Sequence, residues 1–302
     1  PPRSTLSSSS AASDVYKRQI KKWFSRIPVI LDIDDWELGF FYHTGFWGKV
    51  GRFLNFSNPS GLPYTWLMEY FTGYADSTIV SNHFLKNKFS GSLVYHCRDT
   101  SKLNPENFDT DSMKAKLGLK DKRVVMFLGT PRPHKGTEEL FEAIEKISDP
   151  DVRLVLVGAD LSVQRHIDNM KNNQDKVIVI PKIPFNELPD YLSAADILAI
   201  PQRDTTDTQG QIPAKLFDGM AMAKPIITTP ISDIPEVLGG HGYLIEPGNH
   251  EQLAKTIIDI FANPKEARLK GQNARKRCQE LYDLKVKKKE LISKIEKLTT
   301  TQ

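Results

Sequence analysis

The chain has 302 residues, 39% hydrophobic and 26% charged. This is the profile of a globular protein with room for two modest cores, which excludes a fibre and a disordered tail. No run reaches the roughly 18 to 20 consecutive apolar residues of a membrane-spanning helix, because Pro or a charge interrupts each candidate, including 27–31 and 152–157. Cys97 and Cys278 lie far apart and offer neither a disulfide framework nor metal-ligand spacing, so a reducing, cytoplasmic setting is predicted. The formal charge of +4 is uneven: nine Lys and three Arg against five acids give 265–297 a net +7. Such a tail is either a solvated helix face or a basic amphipathic helix resting on an anionic membrane surface.

In chain order, residues 1–19 combine the run Ser7 to Ser10 with a short basic patch and no apolar periodicity. They read as a non-native scar, with the authentic N-terminal part expected upstream of Ile20. A buried-strand signal at 28–32 runs into the acidic turn Asp32-Ile33-Asp34-Asp35. Strands are also predicted at 77–80 and 92–95, with a helix over 82–89. The aromatic-rich stretch 36–66 has no readable form. Asn104-Pro105 and the polar run to Ser112 predict a linker.

From Arg123 a βα rhythm sets in, with strands predicted at 124–128, 154–157, 177–180, 197–200, 226–229 and 243–245. Most are short runs rich in Val, Ile or Leu, as strands covered on both faces must be. Thr137 opens a helix with the apolar stripe Leu140, Ile144 and Ile147; Asn186 is placed as the cap of a helix over 187–195; Pro213 precedes one over 214–222. Six strands with five crossovers predict a doubly wound α/β parallel sheet, whose ligands bind beyond the strand C-termini.

Two nucleotide motifs are excluded there. The loops after Leu128 and Val157 lack the second and third glycines of a dinucleotide fingerprint, and Gly rather than Ser or Thr follows Lys135, so no hydroxyl is set for Mg²⁺. Dehydrogenase and kinase chemistry both weaken. The first loop instead gathers Arg132, His134 and Lys135 ahead of a helix N-terminus, a pattern suited to a diphosphate, the alternative being solvated loop cations. The second loop, 201–213, holds Asp204, Asp207, Gln209, Gly210 and Gln211, and Gly210 allows close approach of backbone amides to a ligand. Asp218 in the following helix presents a carboxylate to a ribose diol or, alternatively, is a surface acid paired with Lys215.

Taken together, Phe127 to Gly136, Val155 to Gly158, Leu188 to Asp196 with Ile200-Pro201, Pro213 to Ile227 and Pro235 to Pro247 resemble family-four (group 1) glycosyltransferases of the GT-B fold. The resemblance covers most of 123–291 and rests on the order and spacing of these segments. It implies sugar transfer from a nucleoside-diphosphate-sugar donor, with retention of configuration and without a metal. It matches Lys135 to the family's phosphate-binding lysine. Thr130 occupies the usual arginine position, leaving Arg132 as a displaced candidate. Asp218 stands at the second glutamate of the family's paired motif, while Gly210 replaces the first, whose work at the donor sugar passes to Asp207 or Gln211 or is lost. Asp34 takes the place of a histidine that approaches the donor sugar. The base is placed against 180–183.

The resemblance thus implies Lys135, Arg132 and Asp34 as catalytic residues. It implies Gly129, Thr130, Lys182, Ile183, Gly210, Gln211, Ile212, Lys215 and Asp218 as the donor-binding set, with helix amides at 210–212. The expected organisation is a partial N-terminal Rossmann-like, acceptor-side domain with hinge at 20–109, a nucleotide-sugar domain at 110–274, and a basic helix at 275–302 packing back on the first domain. Expected partners are the donor and a glycan or lipid-linked acceptor, with peripheral contact at the inner membrane surface and no nucleic acid. The alternative is a non-catalytic nucleotide-sugar-binding module or inactive fragment, because Gly210 and Asp34 replace two residues the family uses.

Overall fold

Short runs of Val, Ile and Leu form two parallel sheets in the computed structural model, which describes residues 29–41, 61–160 and 163–300. Close contacts group the chain into two units. One takes in the chain up to Tyr95 with Gln209–Ile212 and Lys289–Gln302; the other takes in His96–Thr208 and Pro213–Lys288. The first domain with hinge was expected over 20–109, whereas the second unit begins at His96, and the expected scar lies outside the described residues.

In the first unit, strands β1 (Ile30–Ile33), β2 (Ser77–Val80) and β3 (Ser92–Leu93) pair in parallel in that order. Val80 and Leu85 are fully buried and meet Trp36 and Leu38 in a small core. The predicted helix forms as His83–Phe89, and the Leu85 amide donates to the Asn82 side chain at 2.8 Å, a cap that satisfies one orphan N–H. Within the unreadable aromatic stretch, a 3-10 turn forms at Glu37–Phe41 and a helix at Leu62–Phe71. The rest of it lies outside the described residues.

The second unit holds six parallel strands: β4 (Arg123–Leu128), β5 (Val152–Val157), β6 (Val177–Ile180), β7 (Ile197–Ile200), β8 (Ile226–Thr228) and β9 (Tyr243–Leu244). Their order is β6-β5-β4-β7-β8-β9, a doubly wound sheet that reverses direction between β4 and β7. Alternation along the strands serves two faces. Phe127, Leu154, Ile197 and Ile227 pack with Leu140, Ile144, Leu253 and Ile257 of the helices Thr137–Lys146 and His250–Ala262. Leu198 turns the other way against the helix Ala214–Ala221, where a Cβ on Gly219 would stand 2.4 Å from it.

Two local expectations change. Asn186 caps nothing: it lies inside a 3-10 turn, Phe185–Glu187, from which the helix Leu188–Ser193 continues without a side-chain cap. The predicted linker at 104–112 is structured, with a 3-10 turn at Pro105–Asn107 and a helix at Thr110–Lys116 whose Asp109 side chain accepts the Ser112 amide. Asp109 is a good cap, a signal outweighed in the sequence by the surrounding polar run. Both cysteines are free thiols, and burial pushes Cys278 up to about 12.

At the N-terminal end of the sheet, Lys224 donates to the carbonyls of Ser193 and Ala195 at 2.7 and 2.8 Å, near an Asp196 held by Lys114 and the Val124 amide. Burial first, and the Lys114 charge, lower Lys224 to about 8 from 10.5, against the pull of Asp196. Between those values the unfolded chain binds the extra proton, so the contribution of Lys224 to stability rises with pH across that window, by at most about 3 kcal/mol, while the raised Cys278 thiol contributes the opposite trend above pH 9. Urea titrations at stepped pH check this: Lys224→Met is expected to lower stability overall, and the wild-type advantage over it is expected to widen between pH 8 and 10.5.

Candidate functional site

Strand β4 ends at Leu128, and its carbonyl accepts the Lys215 ammonium at 2.8 Å. Lys215 belongs to the first turn of the helix Ala214–Ala221, and its Nζ lies 3.9 Å from the centre of the Phe127 ring. Lys135, from the 3-10 turn Pro133–Lys135, donates to the Thr130 carbonyl at 3.1 Å in the loop that β4 feeds. Burial, joined by the Lys135 charge, holds Lys215 well below the usual lysine range. A cation in the first turn of a helix, beside a second cation, is electrostatically unfavourable. An anion with two or more oxygens would reverse that cost.

The loops after β4 and β7 are stitched together around this pair. Gly136 has φ 70°, and a Cβ there would fall 1.7 Å from the Pro201 carbonyl oxygen, so the two backbones approach as only glycine permits. The Arg203 amide donates to the His134 carbonyl at 2.9 Å. The Arg203 guanidinium spans Glu138 at 2.6 Å and the buried Glu139 at 2.5 Å. His134 Nδ1 lies 3.2 Å from a carboxylate oxygen of Asp207, which also accepts Thr205 Oγ1 at 2.5 Å. A short helix, Thr206–Gln209, closes the second loop.

The remaining sequence candidates divide. Gly129 is exposed with φ 102° and open space where a side chain would stand, and Thr130 and Arg132 are exposed beside it. Arg132 therefore lies on the loop surface, while Lys215, named both in the donor-binding set and as the alternative partner of Asp218, is half-buried beneath it. Asp218 is 3% exposed, and both its oxygens are taken by Arg98, whose guanidinium also reaches the Ala214 carbonyl at 3.1 Å. It is neither a surface acid paired with Lys215 nor a carboxylate presented to solvent. After β6, Lys182 is exposed and Ile183 half-buried, and the Ile180 carbonyl is engaged by the amides of Gly158 and Ala159. Asp207, expected to inherit the work of the missing glutamate, is 3% exposed and held by His134 and Thr205.

Gly210, Gln211 and Ile212 precede the helix that begins at Ala214, so they supply no helix amides. They group with the first unit. There the Gly210 carbonyl accepts the Trp36 amide at 3.2 Å, and a Cβ on Gly210 would stand 2.5 Å from Trp36 Cβ. Glycine at this position is thus a packing requirement. The Gln211 amide donates to Asp35 at 3.1 Å, and Ile212 is buried. Asp34 is exposed at the end of β1, where its backbone carbonyl accepts Ser81 Oγ at 2.5 Å. Arg98 and Arg203 were missed in the sequence. The available signal was Glu139, a carboxylate in the buried first turn of a helix, which requires a cation.

The sequence matches the glycosyl transferases group 1 family over residues 109–277. Among curated relatives, spore coat protein SA of Bacillus subtilis is 25% identical over 68% of this chain and 56% of its own length. The GDP-mannose-dependent alpha-(1-6)-phosphatidylinositol monomannoside mannosyltransferase of Mycolicibacterium smegmatis is 25% identical over 57% of this chain and 47% of its own. The chain spans about half the length of these two relatives. Among solved structures, Anabaena Alr3699/HepE in complex with UDP superposes with a TM-score of 0.74 at 16% identity, covering 95% of this chain and 77% of that one. The C-terminal domain of a group 1 glycosyl transferase (LpcC) from Francisella tularensis gives 0.54 at 23% identity, over 62% of this chain and 99% of that one. The architecture is GT-B, α/β with parallel sheets.

Gly136→Ala places a side chain on the Pro201 carbonyl at a φ that L-residues rarely adopt. The expected cost is on the order of 3 kcal/mol or more, read as a lowered denaturation midpoint. An unchanged midpoint would mean that the two loops separate freely.

Proposed function

The chain belongs to the glycosyl transferases group 1 family, and from that premise we propose that it transfers a sugar from a nucleoside-diphosphate-sugar to a glycan or lipid-linked acceptor. The transfer is read as retaining and metal-independent, in a cytoplasmic setting with peripheral contact at the membrane. The observation that carries the reading is the convergence of Lys135 and Lys215 at the end of β4. As the bond to the sugar breaks, negative charge grows on the departing diphosphate. Two preset ammonium groups and the exposed backbone of Gly129 and Thr130 meet that charge without reorganising. The stitched loops after β4 and β7 hold Lys135 in place, so binding does not have to order it.

The base is assigned to the rim beyond β6 at Lys182 and Ile183, and Arg132 to the outer phosphate oxygens. Asp34 is read as the catalytic candidate that approaches the donor sugar, in the place the resemblance gives to a histidine. Asp218 is given the part of fixing the helix that bears Lys215, since Arg98 occupies its oxygens. A second reading, nucleotide-sugar binding without turnover, is favoured by Gly210, whose packing against Trp36 leaves no room for a carboxylate.

The UDP-glucose bound in another Anabaena Alr3699/HepE structure and the GDP-mannose named for the mycobacterial relative define the first donor panel. Labelled donor consumption separates the readings: turnover, with the product anomer read by NMR, supports the transferase; calorimetric binding without consumption supports the module. Lys135→Ala and Lys215→Met are each expected to weaken binding of the nucleoside diphosphate by roughly ten- to a hundredfold, the value of a charge-assisted hydrogen bond. Binding at the wild-type level in both variants would remove the site.

A pH dependence follows from the lowered Lys215. A bound anion favours the ammonium form, so binding takes up a proton wherever the unliganded amine is partly neutral, and affinity falls as pH rises through that range. Calorimetry in two buffers of different ionisation enthalpy, above pH 7 where the phosphate is fully ionised, is expected to report that uptake. Lys215→Met should abolish it.

A further inference from the structure

Strand order in the second unit sets where the parts of a bound nucleotide fall. The lysine pair stands where β4 ends, the rim assigned to the base follows β6, and β5 lies between them in the order β6-β5-β4-β7. Neighbouring strands are about 5 Å apart, so β4 and β6 are separated by about 10 Å, and whatever joins a diphosphate to a base must cross the end of β5. In a nucleoside diphosphate that joining group is a ribose, which presents a vicinal pair of hydroxyls. The chain leaving β5 is held against both neighbours. Gly158 has φ 89°, and a Cβ there would stand 3.3 Å from backbone atoms of Gly129, so the loops after β5 and β4 run backbone to backbone. On the other side the amides of Gly158 and Ala159 donate to the Ile180 carbonyl at 2.9 and 3.3 Å, tying the same two residues to the end of β6. Ala159 is buried, and Asp160 follows as the first exposed side chain beyond the strand. Its carbonyl accepts the Val163 amide at 3.3 Å, which closes a turn. A carboxylate is thus placed at the end of the middle strand of the three, with the cations one strand away.

We propose that Asp160 accepts the ribose hydroxyls of the nucleoside-diphosphate donor and makes the site selective for ribonucleotides. The inference rests on the donor reading above and deepens it. A carboxylate offers two oxygens and can take both hydroxyls of a vicinal diol through charge-assisted hydrogen bonds. Doubly wound dinucleotide sites divide the work in the same way, with the pyrophosphate on the loop after one strand and an acid further along the chain on the ribose. This chain lacks the glycine fingerprint of those sites but shares the order of the parts across the strand ends. Asp218, which the resemblance sets against a ribose, has both its oxygens on Arg98. The phosphate charge, which would repel a carboxylate, is met one strand over by Lys135 and Lys215.

The test is calorimetric affinity of the full chain for UDP and GDP and for their 2′-deoxy counterparts, in wild type, Asp160→Asn, Asp160→Ala and Lys135→Ala. Wild type is expected to bind the ribonucleotide about tenfold or more tighter than the deoxynucleotide. Both Asp160 variants are expected to lose most of that preference by weakening the ribonucleotide alone. Their retained affinity for the deoxynucleotide shows that they are folded. Lys135→Ala is expected to weaken both nucleotides alike and to keep the preference. A preference that persists at the wild-type level in both Asp160 variants would overturn the proposal. So would a wild type that binds through Lys135 yet is indifferent to the 2′-hydroxyl, or Asp160 variants that weaken both nucleotides equally, which would make the acid a structural part of its turn. Binding of neither nucleotide by wild type would strike the donor reading itself, and this proposal with it.

Discussion

Two lysine side chains brought together where a helix begins are the feature on which the proposed donor site depends. Lys135 arrives on a turn fed by β4 and Lys215 on a helix that follows β7, and both hold backbone carbonyls of the same strand end. Left in water, either side chain would be fully solvated and easily charged. Held here, Lys215 is desolvated and repelled, a local disadvantage tolerated because the surrounding fold over-determines it. The sheet supplies that determination: β4 and β7 are neighbours at the reversal in strand order, so the loops leaving them meet over the same end of the sheet.

The scaffold behind the pair is mostly ionic and mostly out of water. Arg203 bridges two successive glutamates on the helix after β4, and His134 meets Asp207 across the same seam. Arg98 plays the equivalent part for the helix bearing Lys215, joining Asp218 to a backbone that also pairs with Tyr282 and Leu284. Buried or half-buried pairs of this sort add little net stability, because desolvation offsets attraction. Their value is orientation, since removing one partner strands the other. Asp218, which the resemblance sets against a ribose, is in this way tied to Arg98 through both its oxygens.

Much of the second unit was legible in the sequence. Runs such as Val177 to Ile180 and Ile197 to Ile200 have the composition of strands buried on both faces, and both form with the predicted bounds. Helix caps were less reliable: Asn186 had the right chemistry in the wrong turn, while Asp109 did its work inside a segment that looked like linker. At the site, composition identified the cationic loop but not its geometry. Lys215 lies three residues before Asp218, and that spacing suggests a pair. The fold sends the lysine toward β4 and the acid toward Arg98, a choice made by residues more than eighty positions away along the chain. Local spacing carries no information of that kind.

Gly210 and Trp36 also bear on how this chain's history can have run. With Trp36 Cβ packed where a side chain at 210 would begin, no carboxylate can arise there by substitution alone, because every residue but glycine brings a Cβ to 36, and trimming the tryptophan would only open a void in the small core around it. Each position therefore conditions which changes the other tolerates. Lineages that carry an acid at 210 should therefore differ in the path of the chain past 36, a change that no single side-chain replacement supplies.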